Sequence, residues 1–323
     1  NFSISMNSCT SALECAIKCL KKKGEIIVPS FTWVSSANAI INSGCKPVFV
    51  DIDIDTRNID PKNITKNITK KTIAIMVVHF AGLPCDMDPI IKICKKNNLH
   101  LIEDSAETLG AKYKGKLTGS FGLGCFSFFP TKNITTTEGG MLTLNKKSMY
   151  IYAQKLIAHG IKKKRKNFWN RESEIAGHNF RLPNHLAALG NSQLKKINIF
   201  NQKRNKIAQV YNNNLNKLSD LILIPKIPKN YTHSYQMYTI RIKKKLRDKF
   251  IYYLNSKGIE ASAHFDPSLH KQKLFKKYKK GKLKNTEKLS SEIVTLPIFP
   301  SLNLKEINYI LKIINNWYLN QKI

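Results

Sequence analysis

Short apolar runs alternate with helix-like segments through the first two-thirds of the chain. Four runs of strand length are bounded by polar or turn-forming residues: EIIVPS, PVFVDI, TIAIMVVHF and LHLIED. Between them, apolar residues recur at helical spacing, as in TSALECAIKCLKKKG, where Gly24 is predicted to end the helix. Strands separated by helices usually lie parallel, with helices covering the sheet. The pattern predicts an α/β fold with a mostly parallel central sheet, extended by LGCFSFF and GGMLTLN.

The sequence pattern changes after a helix-rich stretch at 146–216. Beyond it, HSYQMYTIRI and IEASAHF have the composition of strands, while LRDKFIYYLNSKG and LKEINYILKIINNWYLN have helical spacing. A chain of 323 residues exceeds the size at which a single core usually stops growing. We therefore predict a large α/β domain at 1–215 and a smaller C-terminal α+β domain at 216–323.

The formal net charge is +33, but its distribution argues against a nucleic-acid partner. Only seven of the 54 basic residues are arginine, and the lysines are scattered over the whole chain. Specific recognition of phosphates and bases usually recruits arginine, so we predict no nucleic-acid partner. The runs KKKRK (162–166) and KKYKKGKLK (276–284) are interpreted as solvated loops, with attraction of an anionic substrate as the alternative.

The sequence also predicts a cytoplasmic protein with no membrane span and no metal. No run approaches the roughly 18 apolar residues that a transmembrane helix needs. The first residues, NFSISMNSCTSAL, lack the basic and apolar regions of a signal peptide. The seven cysteines form no C-x-x-C pair, which indicates neither a disulfide framework nor a zinc site.

Three polar segments are predicted to meet at the edge of the sheet where parallel α/β folds bind ligands. NSCTSAL is a polar turn that opens into a helix and suits a phosphate, with a capping box of Ser11 and Glu14 as the alternative. Asp104 ends the strand LHLIED, and Lys132 follows FSFFP. Taken singly, a carboxylate can cap a turn and a lysine can be solvated. Together, a phosphate site, an acid and a lysine match the needs of pyridoxal phosphate (PLP), which takes a lysine for its Schiff base and a carboxylate for its ring nitrogen.

A series of motifs, in order along the chain, makes the sequence similar to a known family. These motifs are NSCTSAL, VPSFTWVSSANAI, KPVFVDID, VVHFAGLPCDMDPI, IEDSAETLGAKYKGK, FSFFPTKNITTTEGGML, GHNFRLPNHLAALG and HSYQMY. The chain resembles the DegT/DnrJ/StrS family of PLP-dependent nucleotide-sugar aminotransferases over essentially its whole length. The resemblance implies PLP fold type I, the aspartate-aminotransferase-like fold, and a homodimer with active sites at the subunit interface.

The resemblance also implies a set of site residues. Lys132 corresponds to the lysine of the Schiff base, and Asp104 to the partner of the pyridinium nitrogen. Glu107 and Trp33 correspond to residues at the cofactor ring, with core packing as the alternative for Trp33. The other positions correspond to phosphate ligands of the same subunit (Thr10, Ser11 and Ser127), to a ligand of the neighbouring subunit's phosphate (Asn179), and to a region near the sugar (His270), where a structural histidine is the alternative. Cys9 departs from the pattern, since glycine is common there.

The implied activity is transfer of an amino group from glutamate to a keto group of a nucleotide-linked deoxysugar. Glu107 and HSYQMY favour a 4-keto group, as in perosamine synthases. One alternative is a PLP-dependent sugar dehydratase on the same fold, in which histidine replaces the Schiff-base lysine. Another is a catalytically inactive binding or regulatory homologue. Family members carry a longer segment before NSCTSAL, so we expect an N-terminal segment to be missing from this sequence.

Overall fold

The computed structural model describes residues 2–161, 167, 169–243 and 245–321, so the KKKRK run lies outside the described residues. The elements of the first part are β1 (Phe2–Met6), α1 (Cys9–Cys19), β2 (Glu25–Pro29), α2 (Val34–Asn42), β3 (Lys46–Val50), α3 (Pro61–Lys66), β4 (Thr72–Val78), α4 (Met87–Lys96), β5 (His100–Asp104), β6 (Lys112–Tyr113), β7 (Lys116–Leu117), β8 (Leu123–Ser127), β9 (Gly140–Leu144) and α5 (Lys147–Leu156). Those that follow are α6 (Asn184–Leu194), α7 (Ile197–Leu215), β10 (Ile222–Leu223), β11 (Tyr231–Thr232), β12 (Tyr238–Ile242), α8 (Arg247–Ser256), α9 (Lys284–Glu292), β13 (Ile293–Leu296) and α10 (Leu304–Leu319).

Seven strands form the central sheet, in the order β1-β9-β8-β5-β4-β2-β3. The strands β3, β2, β4, β5 and β8 pair in parallel, whereas β9 runs antiparallel to both β8 and β1. The prediction of a mostly parallel sheet is therefore confirmed. Asp104 lies opposite Val78 on one side and Cys125 on the other, so β4, β5 and β8 end at the same edge.

The two faces of the sheet belong to different apolar cores. Ile26 and Val28 of β2 pack in the core that includes α1, α2 and α5, whereas Ile27 packs in the core that includes α4. This division follows from the strand geometry, because successive side chains point to opposite faces. Helices cover both faces, which explains why β2 is buried throughout and reads as a continuous apolar run.

The predicted end of the first helix is wrong. Helix α1 ends at Cys19, with Leu20 as its C-cap, before the predicted stop at Gly24. Gly24 instead allows two segments to approach closely, since a Cβ there would lie 2.5 Å from the carbonyl oxygen of Lys71.

Two predicted strands in the C-terminal part also need correction. IEASAHF forms only an isolated bridge, between Ser262 and Thr295, and is not a strand. HSYQMYTIRI pairs as a strand only over Tyr238–Ile242. Its first half is irregular because its backbone N–H groups donate to the turn after β4, with Ser234 donating to Gly82 and Met237 to Ala81.

A second sheet has the order β10-β12-β13 and its own core. Helices α7, α8 and α10 contribute to that core through side chains such as Tyr211, Phe250 and Trp317. The second half of α7 belongs to this core, and the division into domains at 215 and 216 stays a prediction. All the lysines of the KKYKKGKLK run are exposed. None of the helices in the described part of the chain combines the length and apolar character needed to cross a bilayer.

Candidate active site

A cavity of about 450 Å³ opens beyond the carboxyl ends of β4, β5 and β8. Val78 and Asp104 end two of these strands and line it, and Ser127 of β8 lines it as well. This is the edge where parallel α/β sheets bind ligands, and the volume suits a small cofactor. The irregular segment before β12 closes part of the cavity through Gln236 and Met237.

Lys132 reaches the cavity from the turn that follows β8. Its backbone N–H donates to the carbonyl of Phe129 at 2.9 Å. Its side chain is largely buried, and its Nζ lies 3.5 Å from Oε1 of Glu107. The other oxygen of Glu107, Oε2, accepts a hydrogen bond from the N–H of Ala81 at 2.7 Å. Glu107 is therefore held in place beside the lysine amine.

Asp104 is buried at the end of β5 with both carboxylate oxygens hydrogen-bonded. Oδ2 accepts from Oγ of Ser36 at 2.8 Å, and Oδ1 accepts from the N–H of Ala106 at 3.2 Å. Burial raises the pKa of Asp104 above its usual value, and the hydrogen bond from Ser36 opposes that shift. A positively charged ring nitrogen placed opposite this carboxylate would favour its ionised form.

The N-terminus of α1 lines the cavity and has free donors. Ser8 is the N-cap, and its Oγ accepts the N–H of Ser11 at 3.1 Å. Among the described residues, the N–H groups of Cys9 and Thr10 find no acceptor. Such N–H groups at the positive end of a helix dipole suit a phosphate. Thr10 adds a hydroxyl there, which donates to Oγ of Ser35 at 3.0 Å.

The capping box considered for Ser11 and Glu14 is wrong, because the helix begins earlier than the box requires. Ser11 lies inside α1, and its own hydroxyl donates to Oδ1 of Asn7 at 2.7 Å. Glu14 pairs instead with Lys18 at 3.3 Å. Ser11 therefore supports the N-terminal turn and does not itself line the cavity.

The turn around Ser8 needs a glycine in the neighbouring strand. A Cβ at Gly140 would lie 2.4 Å from the carbonyl oxygen of Ser8 and 2.5 Å from the nitrogen of Cys9. Burial raises the pKa of the Cys9 thiol well above its usual value, so a neutral thiol stands where glycine is common. A neutral side chain there does not repel a bound phosphate.

Trp33 lies at the mouth of the cavity and is not a core residue. It precedes α2, lines the cavity, and remains 59% exposed. Its ring contacts that of Phe265, with 6.0 Å between the centroids. The alternative of ordinary core packing therefore does not hold for Trp33.

Besides Ser11, two further predicted site residues lie outside the cavity. His270 is fully buried, with Nδ1 2.7 Å from Oγ of Ser30 and Nε2 3.2 Å from Oε1 of Glu287. His270 does not line the cavity, and these contacts agree with the alternative that it is a structural histidine. Asn179 does not line the cavity either. Its backbone carbonyl oxygen lies 3.5 Å from the side-chain nitrogen Nδ2 of Asn7.

The sequence did not single out several residues that line the cavity. They are Ser35, Phe129, Glu138, Gln236, His264 and Phe265. HSYQMY was recognised as a motif, but no role was assigned to Gln236. The sequence predicts a strand for the segment that contains His264 and gives no role to its side chain. In the structure its Nδ1 lies 2.9 Å from Oγ1 of Thr295, and burial lowers the pKa of His264.

These residues fit PLP. Lys132, Asp104 and the N-terminus of α1 line one cavity, so an amine, a buried carboxylate and phosphate-binding N–H groups are all within reach of one small molecule. The turn that presents those N–H groups depends on the missing Cβ of Gly140. The donor set is the one that PLP requires of its protein.

The model of the DegT/DnrJ/EryC1/StrS aminotransferase family matches residues 1–315. A GDP-perosamine synthase of Escherichia coli O157:H7 is 37% identical over 322 residues, which cover 98% of this chain and 86% of that protein. The structure of PseC from Helicobacter pylori, an aminotransferase involved in pseudoaminic acid biosynthesis, matches with a TM-score of 0.92 at 31% identity, covering 99% of this chain and 87% of that one. NtdA from Bacillus subtilis, solved with bound cofactor PMP, matches with a TM-score of 0.90 at 26% identity, covering 98% and 73%. The chain belongs to the DegT/DnrJ/EryC1/StrS family and has the aspartate-aminotransferase-like fold of these PLP-dependent sugar aminotransferases.

Proposed function

We propose that this protein transfers an amino group from glutamate to the 4-keto group of a nucleotide-linked deoxysugar. The observation that carries the proposal is the convergence of Lys132, Asp104 and the N-terminus of α1 on one cavity. The similarity to a GDP-perosamine synthase supports the 4-keto position, with Glu107 in the cavity beside Lys132. Glutamate is the donor that the family resemblance implies.

Five of the residues that line the cavity are assigned a task in the proposed reaction. Bound PLP supplies an electron-withdrawing ring that stabilises negative charge on the substrate carbon. Nζ of Lys132 would hold the cofactor and would serve as the acid and base that moves a proton at the substrate carbon. The carboxylate of Asp104 would keep the ring nitrogen protonated. The N–H groups of Cys9 and Thr10 would bind the phosphate, and Trp33 would pack against the ring and exclude water.

We also propose a homodimer, supported by the surface around α6. Among the described residues, α6 has no buried side chain although it contains the run LAAL. Leu194 at its end and Ile199 in α7 are 49% and 54% exposed. A second copy that covered this surface would bury these apolar side chains.

The seven cysteines support a cytoplasmic location. All of them are free, and six are buried. Buried free thiols are typical of proteins that stay in a reducing compartment.

Absorption spectroscopy tests the proposed reaction directly. The protein is mixed with PLP, and the visible band of the bound cofactor is followed after addition of glutamate and then of a panel of 4-keto and 3-keto nucleotide sugars. We expect glutamate to abolish the band and a 4-keto sugar to restore it with formation of an amino sugar. A band that glutamate leaves unchanged would support the inactive homologue. Restoration by the 3-keto sugars alone would overturn the 4-keto assignment.

Lys132→Ala provides the residue-level test of the same proposal. We expect the variant to lose both the visible band and turnover, because no other amine takes the place of Nζ. Lys226→Ala is the matched control, since Lys226 is an exposed lysine paired with Asp55 and lies outside the cavity. Normal transamination by Lys132→Ala would contradict the proposal.

A further inference from the structure

Gln236 lies against the cavity in the irregular segment before β12. The residue is 7% exposed, and it lines the cavity together with Lys132. Its amide nitrogen donates a hydrogen bond to the carbonyl of Thr131 at 3.0 Å. Thr131 directly precedes Lys132, so Gln236 holds the backbone next to the lysine.

The amide oxygen of Gln236 has no partner within the described part of the chain. Oε1 is buried and accepts no hydrogen bond from any described residue. The orientation of the amide follows from its neighbour, because a backbone carbonyl only accepts and therefore requires the NH₂ group. Oε1 is consequently the end of the amide that remains available for a donor.

The segment that carries Gln236 is fixed by hydrogen bonds to the rest of the site. The carbonyl of Ser234 accepts from the side-chain amide of Asn133, the residue that follows Lys132, at 2.9 Å. The hydroxyl of Ser234 donates to the carbonyl of Glu107 at 3.0 Å. Gly82 leaves room for this approach, since a Cβ there would lie 2.7 Å from both Oγ of Ser234 and the nitrogen of Tyr235. The chain on both sides of Lys132 is thus held by one short segment.

A fixed, buried and unpartnered acceptor is uncommon in folded proteins. Most buried polar groups are hydrogen-bonded, and a group left without a partner destabilises the fold. Such groups are found at functional sites, where a ligand completes the hydrogen bond. Gln236 lines a cavity in which Lys132 is the one lysine among the described lining residues. Its buried Oε1 can receive only an N–H or O–H donor.

We propose that Gln236 is a specificity-determining residue whose Oε1 accepts a hydrogen bond from an N–H or O–H group of the substrate in the cavity. The inference rests on the proposed function and deepens it. A keto oxygen and a carboxylate are acceptors only, so neither satisfies this residue. The amino group of the amino acid and a hydroxyl of the sugar are the two sources of a suitable donor.

Gln236→Met tests the inference, because methionine has nearly the same length and no amide. Each half of the reaction is measured in a single turnover. In the first, the PLP-loaded variant is mixed with glutamate. In the second, the variant whose cofactor carries the amino group is mixed with the keto sugar that the unchanged protein uses. We expect the visible band of the bound cofactor to be retained and the apparent Kd for at least one substrate to rise about 3- to 10-fold, the effect of one lost hydrogen bond. A weaker glutamate step alone identifies the amino group as the donor, and a weaker sugar step alone identifies a hydroxyl.

Asn201→Ala is the matched structural control. Asn201 accepts from Asn133 at 2.6 Å and donates to the carbonyl of Leu109 at 3.0 Å, so it supports the Lys132 turn from outside the cavity. We expect this variant to lower the melting temperature and leave both substrate affinities unchanged. Gln236→Met should lower the melting temperature less, since it also removes an unpartnered acceptor. If Gln236→Met left both affinities unchanged, the inference would be overturned. A failure of the unchanged protein to respond to glutamate would instead count against the proposed function.

Discussion

Burial shifts the pKa values of Asp104 and His233, two residues around the site, each towards its neutral form. Asp104 is buried at the end of β5 and accepts two hydrogen bonds, from Ser36 and Ala106. His233 is buried at the start of the segment that holds the Lys132 turn, and its Nδ1 accepts the N–H of Tyr235 at 2.9 Å. In the proposed reaction Asp104 has to be charged to hold a proton on the ring nitrogen, so its two hydrogen bonds and the cofactor have to oppose the effect of burial. His233 has to be neutral to accept its hydrogen bond from Tyr235.

Asp104→Asn should slow the amino-acid half-reaction about 100-fold or more while PLP still binds. Asparagine has the same shape but no negative charge, so the ring nitrogen would lose its proton and the ring would withdraw fewer electrons. Stopped-flow decay of the visible band measures this step. Asp88→Asn is the control, because Asp88 is exposed and pairs with Lys114 away from the cavity. An unchanged rate in Asp104→Asn would remove Asp104 from the mechanism.

His233 should make folding stability depend on acid pH. A histidine in the unfolded chain titrates at about pH 6.5. Burial, with a smaller contribution from Arg57, lowers the pKa of His233 to about 3 in the folded protein. The neutral His233 therefore contributes its full share to the free energy of unfolding above about pH 6.5. This contribution is lost as the pH falls from about 6.5 towards about 3, by about 1.4 kcal/mol for each pH unit.

Urea denaturation between about pH 7 and pH 4 measures this dependence. His233→Asn retains an acceptor for Tyr235 and has no proton to gain. We expect the stability of the variant to fall less steeply over this range than that of the unchanged protein. Equal slopes would show that His233 does not contribute.

Among the elements, regular strands were easier to predict than the irregular segments beside them. Asp104 follows an apolar strand, and Lys132 follows another, so the sequence placed both at the ligand-binding edge of the sheet. Gln236 was not assigned because its position depends on hydrogen bonds from its segment to Gly82 and Ala81, which lie far away in the sequence. The position of His270 could not be predicted for a similar reason, since its contacts with Ser30 and Glu287 arise only in the folded chain.

Gly140→Ala should weaken PLP binding through the turn that precedes α1. The added Cβ would lie 2.4 Å from the carbonyl oxygen of Ser8, so the backbone of the turn has to move. We expect a loss of about 1–3 kcal/mol in the free energy of unfolding and a raised Kd for PLP. Fluorescence titration with PLP measures the affinity.

Gly115→Ala separates this steric effect from a general loss of stability. Gly115 has a φ of +82° and no atom within 4 Å of an added Cβ. Alanine there should destabilise the fold by about 1 kcal/mol through its backbone alone and leave the Kd for PLP unchanged. Equal Kd values for PLP in the two variants would contradict the role assigned to the turn.

At the scale of the whole molecule, the alternating pattern predicted the central sheet because its inner strands, such as β2 and β4, are buried on both faces and largely apolar. The second sheet was predicted less well, since IEASAHF was taken for a strand and β13 was missed. Asn255 bonds through its side chain to the N–H and the carbonyl of Ala261, and these contacts replace strand pairing at the start of that segment. The homodimer stays a proposal.

Dimer formation is tested by charges placed on the surface around α6. Leu194→Glu combined with Ile199→Glu should give a monomer with greatly reduced activity, because buried carboxylates oppose association. Light scattering coupled to size-exclusion chromatography measures the mass. Leu304→Glu is the control, since Leu304 is 65% exposed at the start of α10. A monomeric unchanged protein with full activity would contradict the dimer.

The most direct test of the proposed function is to identify the lysine to which the cofactor attaches. Borohydride treatment of the PLP-loaded protein, followed by peptide mass spectrometry, locates the modified lysine. The account predicts that the mass of reduced PLP appears on the peptide that contains Lys132, the one lysine that lines the cavity among the described residues, and on no other peptide. Attachment at a different lysine, or none at all, would contradict it.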